Sequence, residues 1–155
     1  MAGTKQRIFR AFLAVHQLLL CLGQTHVGRP VRMLDVGGAH GIHARFFRRH
    51  GIAVDLVDMA AGDEQPVFVG DYLDYKPNQP YDVIWSSHVL EHVPNVGLFL
   101  AKMWQDLADD GYLTITVPPM NEKRMGYNHL TLWNPGILLL NAIRHGFSVD
   151  LAKVA

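Results

Sequence analysis

The chain has 155 residues and 17.4 kDa, with 49% apolar and 18% charged residues, so it fits one domain with a substantial core and excludes wholesale disorder. Fourteen Lys and Arg balance fourteen Asp and Glu, which removes the basic excess expected of a general nucleic-acid binder. The single Cys21 excludes an intramolecular disulfide framework and a multi-thiolate zinc site, and a reducing, cytoplasmic setting is the simplest reading.

Lys5, Arg7 and Arg10 precede the apolar stretch Ala11 to Leu22, in loose imitation of a signal peptide. His16 and Gln17 interrupt that run, no small-x-small cleavage site follows before Arg29, and the run is too short to span a bilayer. Residues 1–29 are therefore read as a leading amphipathic helix, with Ile8, Phe12, Val15, Leu19 and Leu22 on its inner face and Phe9, Leu13 and Leu20 beside it. Such a stripe can lie on a membrane surface, but core packing is its more ordinary fate.

Residues 31–117 alternate strand-like and helix-like segments. Val31 to Val36 is a short apolar run ending at Gly37-Gly38, and a helix follows from Ile42 to His50, stopped by Gly51. Ala53 to Val57 ends at Asp58, Val67 to Val69 ends at Gly70-Asp71, and Asp82 to Trp85 ends at Ser86-Ser87. Val96 to Ala108 predicts a helix with Leu98, Phe99, Met103 and Leu107 inward. Asp109-Asp110-Gly111 then reads as a turn into a strand from Tyr112 to Val117. In residues 118–155, Asn134-Pro135 opens a helix from Gly136 to His145, and Phe147 to Val154 reads as a sixth strand. Nearly continuous apolar strands separated by helices predict an α/β fold: a doubly wound, mostly parallel sheet with helices on both faces.

In such a sheet the chemistry sits beyond the carboxyl ends of the strands. Asp35-Val36-Gly37-Gly38-Ala39-His40-Gly41 offers a tight turn and a helix N-terminus to a ligand. It is not the G-x-G-x-x-G fingerprint, since Ala39 and Ile42 stand where glycines are required, and a nicotinamide cofactor is disfavoured. Asp58 closes the second strand about 20 residues further on, where an acid accepts hydrogen bonds from ribose hydroxyls.

Together these segments resemble the class I S-adenosylmethionine-dependent methyltransferases. The loop from Asp35 to Gly41 is similar to their D-x-G-x-G-x-G motif, with Ala39 replacing the middle glycine; alanine suits that turn if its φ is negative. Tyr81 to Val93 resembles the family's fourth strand running into a V-L-E-H-like loop. The resemblance implies a Rossmann-like fold, S-adenosyl-L-methionine as methyl donor and S-adenosyl-L-homocysteine as product. It implies cofactor contacts from Asp35, Gly37, Gly38, Gly41, Asp58, Met59, Asp71, Tyr72, Ser86 and Ser87. Two departures stand out. No sequence remains for the family's last antiparallel strand, so a homo-oligomer or another partner is a candidate cover for the sheet edge. The acceptor side is also thin, which leaves a non-catalytic or partner-dependent cofactor-binding domain as an alternative.

His88-Val89-Leu90-Glu91-His92 spells H-x-x-E-H, but Pro94 argues against the long helix that an inverted zinc-protease site needs, and no metal is expected. His129 lies where an acceptor meets the donated methyl group and is the first candidate base, with His88 second. His40 and His43 are given no chemistry, and Arg45, Arg48 and Arg49 are read as a solvated basic face. Leu132–Trp133 and Ile137–Leu140 are read as core before acceptor pocket. The implied reaction is methyl transfer to a small-molecule or sugar-like acceptor, with no nucleic acid and no membrane span.

Overall fold

A computed structural model describes residues 11–120, 128–150 and 152. It contains α1 (Phe12–Thr25), β1 (Arg32–Val36), α2 (Ile42–Arg49), β2 (Ala53–Asp58), β3 (Phe68–Val69), β4 (Tyr81–Ser87), α3 (Val96–Asp106), β5 (Leu107–Thr116) and α4 (Pro135–Arg144). The strands pair in the order β3-β2-β1-β4-β5, every pairing parallel. The order reverses beside β1, so the crevice between the ends of β1 and β4 is the switch point at which such sheets bind ligands.

Alternate residues of the central strands serve opposite faces. On one face Val15, Leu18 and Leu22 of α1, with Ala44 and Phe47 of α2, cover Met33, Leu56, Val83 and Trp85. On the other, Phe99, Leu100 and Met103 of α3 cover Leu34, Val36, Val57 and Ile84, and Trp133 and Phe147 extend that core. Asparagine side chains start the later helices: Asn95 accepts from Leu98 N at 3.1 Å and Asn134 from Ile137 N at 2.9 Å. The doubly wound α/β reading is therefore correct. Among the described residues the sheet has these five parallel strands and no antiparallel one. No helix among them is long and apolar enough to cross a membrane.

Four local expectations differ from the structure. In α1 the buried line is Ala11, Val15, Leu18 and Leu22, while Phe12, Leu13 and Leu20 face outward; Ile8 and Phe9 lie outside the described residues. The next residue on that line, His26, is buried as well and sits 3.9 Å from Asp82, itself bound by Arg29 at 3.1 Å. In α3 Leu98 is exposed, and the helix stops at Asp106, whose carboxylate receives the Tyr72 hydroxyl and the Lys102 ammonium, each at 2.8 Å.

Asp109-Asp110-Gly111 belongs to β5 as a bulge rather than to a turn before it. Tyr81 pairs with Leu107 and Val83 with Tyr112, so the pairing resumes after the extra residues. Finally, Phe147 to Asp150 forms no strand; Phe147 packs edge-on against Trp104, centroids 5.2 Å apart. The remainder of the expected sixth strand falls largely outside the described residues.

Candidate functional site

Loops after β1, β2, β3 and β4 meet at one end of the sheet. The first is the glycine loop. Gly37 has φ +71°, and its N–H bonds to the Val57 carbonyl at 2.8 Å, tying the loop to β2. A side chain there would collide with Val89, so the turn after β4 rests directly against the glycine loop. Gly41 caps α2 at φ +68°, and the Glu64 side chain occupies the space a Cβ would need. Arg45 and Arg48 clamp Glu64 at 3.2 and 2.6 Å. These two arginines thus brace the loop, contrary to the expectation of a merely solvated face. Glu64 was invisible to motif reading because its partners are defined only by the fold.

Ala39 also corrects the sequence reading, because its φ is +49°, not negative. The turn brings the Ala39 N–H to Asp58 Oδ2 at 2.7 Å, while Asp58 Oδ1 accepts from Ala60 N at 3.0 Å. A left-handed alanine costs about 1–2 kcal/mol, part of which glycine's greater freedom in the unfolded chain would offset. Ala39→Gly is accordingly expected to raise stability by up to about 1 kcal/mol. The check is a higher denaturant midpoint at unchanged slope.

Beneath the loop lies Asp35, 1% exposed, at the end of β1. A Cβ on Gly38 would stand 2.6 Å from its Oδ2, and that oxygen has no partner among the described residues. Burial pushes the Asp35 carboxyl up to about 7, aided by the negative Asp58 and opposed by the Ala44 backbone N–H and Arg48. An orphaned, buried carboxyl under a glycine turn has unused capacity to accept a hydrogen bond or face a positive charge.

The other expected cofactor contacts divide. Met59 stands 72% exposed beside Asp58. Asp71 is exposed, and its Oδ1 accepts from Leu73 N at 2.9 Å. Tyr72 is turned into the core, its hydroxyl on Asp106, so its ring is not presented to the loop side. Burial, and then Asp106, raise its pKa and keep it a donor. Ser86 is buried, its Oγ unpartnered among the described residues, while Ser87 Oγ lies 2.8 Å from Thr116 Oγ1.

After β4 the chain turns sharply at His88, φ +58°, and enters a short 3₁₀ turn, Leu90–His92. His88 Nδ1 lies 3.2 Å from Oε1 of Glu91, whose side chain is only 1% exposed. Burial works to raise the Glu91 pKa, but the His88 hydrogen bond, its own backbone N–H and the influence of His88 and His92 outweigh it, holding it below the usual range. The Glu91 carbonyl accepts from Leu130 N at 2.7 Å and Thr131 N at 3.2 Å, which brings His129 to this turn. His92 and His129 rings meet edge-on, centroids 4.9 Å apart. Both candidate bases, His129 and His88, therefore belong to one cluster around Glu91. Of the polar segment preceding His129, residues 121–127 lie outside the described residues. Trp133 is core, as expected, whereas Ile137 and Leu140 are exposed. His43 packs its ring on Trp85 at 5.2 Å, and His40 lies 3.5 Å from Asp63.

The sequence profile described as "Methyltransferase domain" matches residues 6–150. This chain belongs to that methyltransferase family. A ubiquinone biosynthesis O-methyltransferase of Paramagnetospirillum magneticum is 35% identical over 94 residues, covering 51% of this chain and 37% of the relative. One from Bradyrhizobium is 27% identical over 123 residues, covering 68% of this chain and 49% of the relative. The domain thus spans less than half the length of these relatives. Among solved structures, a phosphoethanolamine N-methyltransferase 2 of Haemonchus contortus with S-adenosylhomocysteine aligns at TM-score 0.69 and 18% identity, over 87% of this chain and 37% of that one. A SAM-dependent methyltransferase from Archaeoglobus fulgidus aligns at TM-score 0.66 and 18% identity, over 93% and 76% respectively. The methyltransferase resemblance read from the motifs therefore extends through the fold.

Proposed function

We propose that this methyltransferase domain binds S-adenosyl-L-methionine over the loop from Asp35 to Gly41 and passes its methyl group to a hydroxyl of a small-molecule acceptor. The observation that carries the reading is the buried Asp35 carboxyl with an unpartnered oxygen, beneath a glycine turn whose N–H is already aimed at Asp58. The cofactor suits that place, because it would bring positive charge to a buried carboxyl and ribose hydroxyls to Asp58.

When bound, the cofactor supplies an electrophilic methyl carbon on sulfonium sulfur. The chain supplies the rest: binding, alignment and a dry site. Asp58 would accept from the ribose, the exposed Met59 would offer an apolar surface beside it, and Asp71 with the Tyr72 backbone would flank the adenine. Ser86 and Ser87 line the crevice between β1 and β4. The acceptor meets the cluster of His88, Glu91, His92 and His129, which the Gly37–Val89 contact sets beside the cofactor loop. His129 is the first candidate for taking the hydroxyl proton and His88 the second. That two relatives are named O-methyltransferases supports oxygen as the acceptor atom.

Calorimetric titration with S-adenosyl-L-methionine and with S-adenosyl-L-homocysteine tests the cofactor half. One-site saturable binding is the expected result, followed by methyl incorporation into a panel of hydroxyl compounds. A folded sample that binds neither ligand overturns the proposal and favours a non-catalytic role.

A further inference from the structure

Glu91, His92 and His129 present one ligand atom each, all within 4.8 Å of one another. Atoms sharing a small divalent cation at about 2.0–2.2 Å stand roughly 3–4 Å apart, so the widest pair needs to close by roughly 1–2 Å at most. One pair already fits: His92 Nε2 and Glu91 Oε1 are 3.9 Å apart, too far for a hydrogen bond and suited to an ion between them, while His88 Nδ1 holds the same oxygen from 3.2 Å.

Three further features prepare these atoms. Glu91 Oε2 is buried and has no partner among the described residues, so the carboxylate has unused ligating capacity. His92 Nδ1 lies 2.9 Å from the Asn128 carbonyl, which can only accept. Nδ1 therefore carries the proton and Nε2 keeps the lone pair that faces Glu91. The backbone bonds from Leu130 and Thr131 to the Glu91 carbonyl lock His129 beside the carboxylate.

We propose that Glu91, His92 and His129 form a site for a divalent first-row transition cation such as Zn²⁺ or Mn²⁺. This departs from the expectation of no metal. The H-x-x-E-H pattern drew attention to His88 and His92 on a helix, but the chain forms a 3₁₀ turn there, and the third ligand comes from 37 positions beyond His92. Two imidazoles and one carboxylate suit a borderline cation, and three protein ligands leave coordination positions open.

The inference deepens the proposed methyl transfer, on which its catalytic meaning rests. A cation held there would make an acceptor hydroxyl at an open position more acidic, its proton leaving to solvent. The oxygen lone pair would then bond the methyl carbon as the carbon–sulfur bond breaks, that bond's electrons remaining on the departing S-adenosyl-L-homocysteine. In this arrangement His129 is a ligand and not the base.

The test is calorimetric titration of untagged, chelator-stripped protein with Zn²⁺ and with Mn²⁺, run beside a titration with S-adenosyl-L-homocysteine. We expect one saturable site for at least one of the two cations, weakened tenfold or more in each of Glu91→Gln, His92→Ala and His129→Ala and unchanged in His16→Ala. Retained S-adenosyl-L-homocysteine binding, or an unchanged circular dichroism spectrum, shows that each variant is folded. Absence of a site for either cation in folded protein overturns the proposal, as does a site indifferent to all three ligand variants. Cation binding without S-adenosyl-L-homocysteine binding would instead overturn the cofactor reading and leave the metal site standing.

Discussion

Asp58→Ala is expected to weaken S-adenosyl-L-homocysteine binding by about 3–6 kcal/mol, roughly a hundredfold to ten-thousandfold. Two charge-assisted hydrogen bonds to ribose hydroxyls, about 1.5–3 kcal/mol each, account for that range. The variant also removes the acceptor of the Ala39 N–H, 2.7 Å away, so the loop itself loses a tether. Asp58→Asn retains an accepting oxygen without the charge and should fall between the two. Calorimetry on all three proteins checks the ranking. Affinity unchanged in Asp58→Ala would show that the ribose lies elsewhere.

The second large effect is on pH. Asp35 titrates at about 7 in the folded protein against 3.8 for an ordinary aspartate, and the cause is first of all burial. A carboxyl raised by folding binds its proton more tightly in the native state than in the unfolded one. Stability therefore falls as pH rises from about 4 through about 7 and levels off above it. With a shift of three units, the loss is on the order of 4 kcal/mol for the ligand-free protein. Asp58 and the Ala44 end of α2 lie against this carboxyl with Arg48 nearby, and Asp35→Asn leaves them in place. Denaturant titrations from pH 5 to 8 should thus show a fall in the wild type that Asp35→Asn lacks. A ligand bringing positive charge to Asp35 favours its ionised form, so cofactor affinity should rise over the same interval. Parallel pH profiles for wild type and Asp35→Asn would exclude the assignment.

Most of this architecture was legible because strand and helix periods differ and because polar residues follow each apolar run. Asp35, Asp58 and the Ser86–His88 end of β4 could all be placed from that rule alone. What escaped reading depended on partners remote in sequence. The buried line of α1 packs against Met33, Leu56, Val83 and Trp85 of the sheet. Helical periodicity alone cannot choose between two stripes that share Val15 and Leu22. The bulge in β5 was hidden because two aspartates and a glycine have turn chemistry wherever they occur. Tyr72 follows an expected adenine neighbour, yet Asp106 and the core claim its side chain. The cluster of Glu91, His92 and His129 joins two segments through backbone bonds to a single carbonyl, a closure without a local signature.

The position of β1 between β2 and β4 also orders events during synthesis. Pairing of Asp35 with Leu56 needs only the first 58 residues, but its pairing with Trp85 must wait until β4 has left the ribosome. Until then one edge of the central strand is open, and Leu34 lacks the cover of Phe99, Leu100 and Met103. The same late step brings Val89 against Gly37. A nascent chain therefore acquires its ligand crevice at the moment its sheet closes, and cofactor present during translation could capture the domain at that point and shorten its exposure to aggregation.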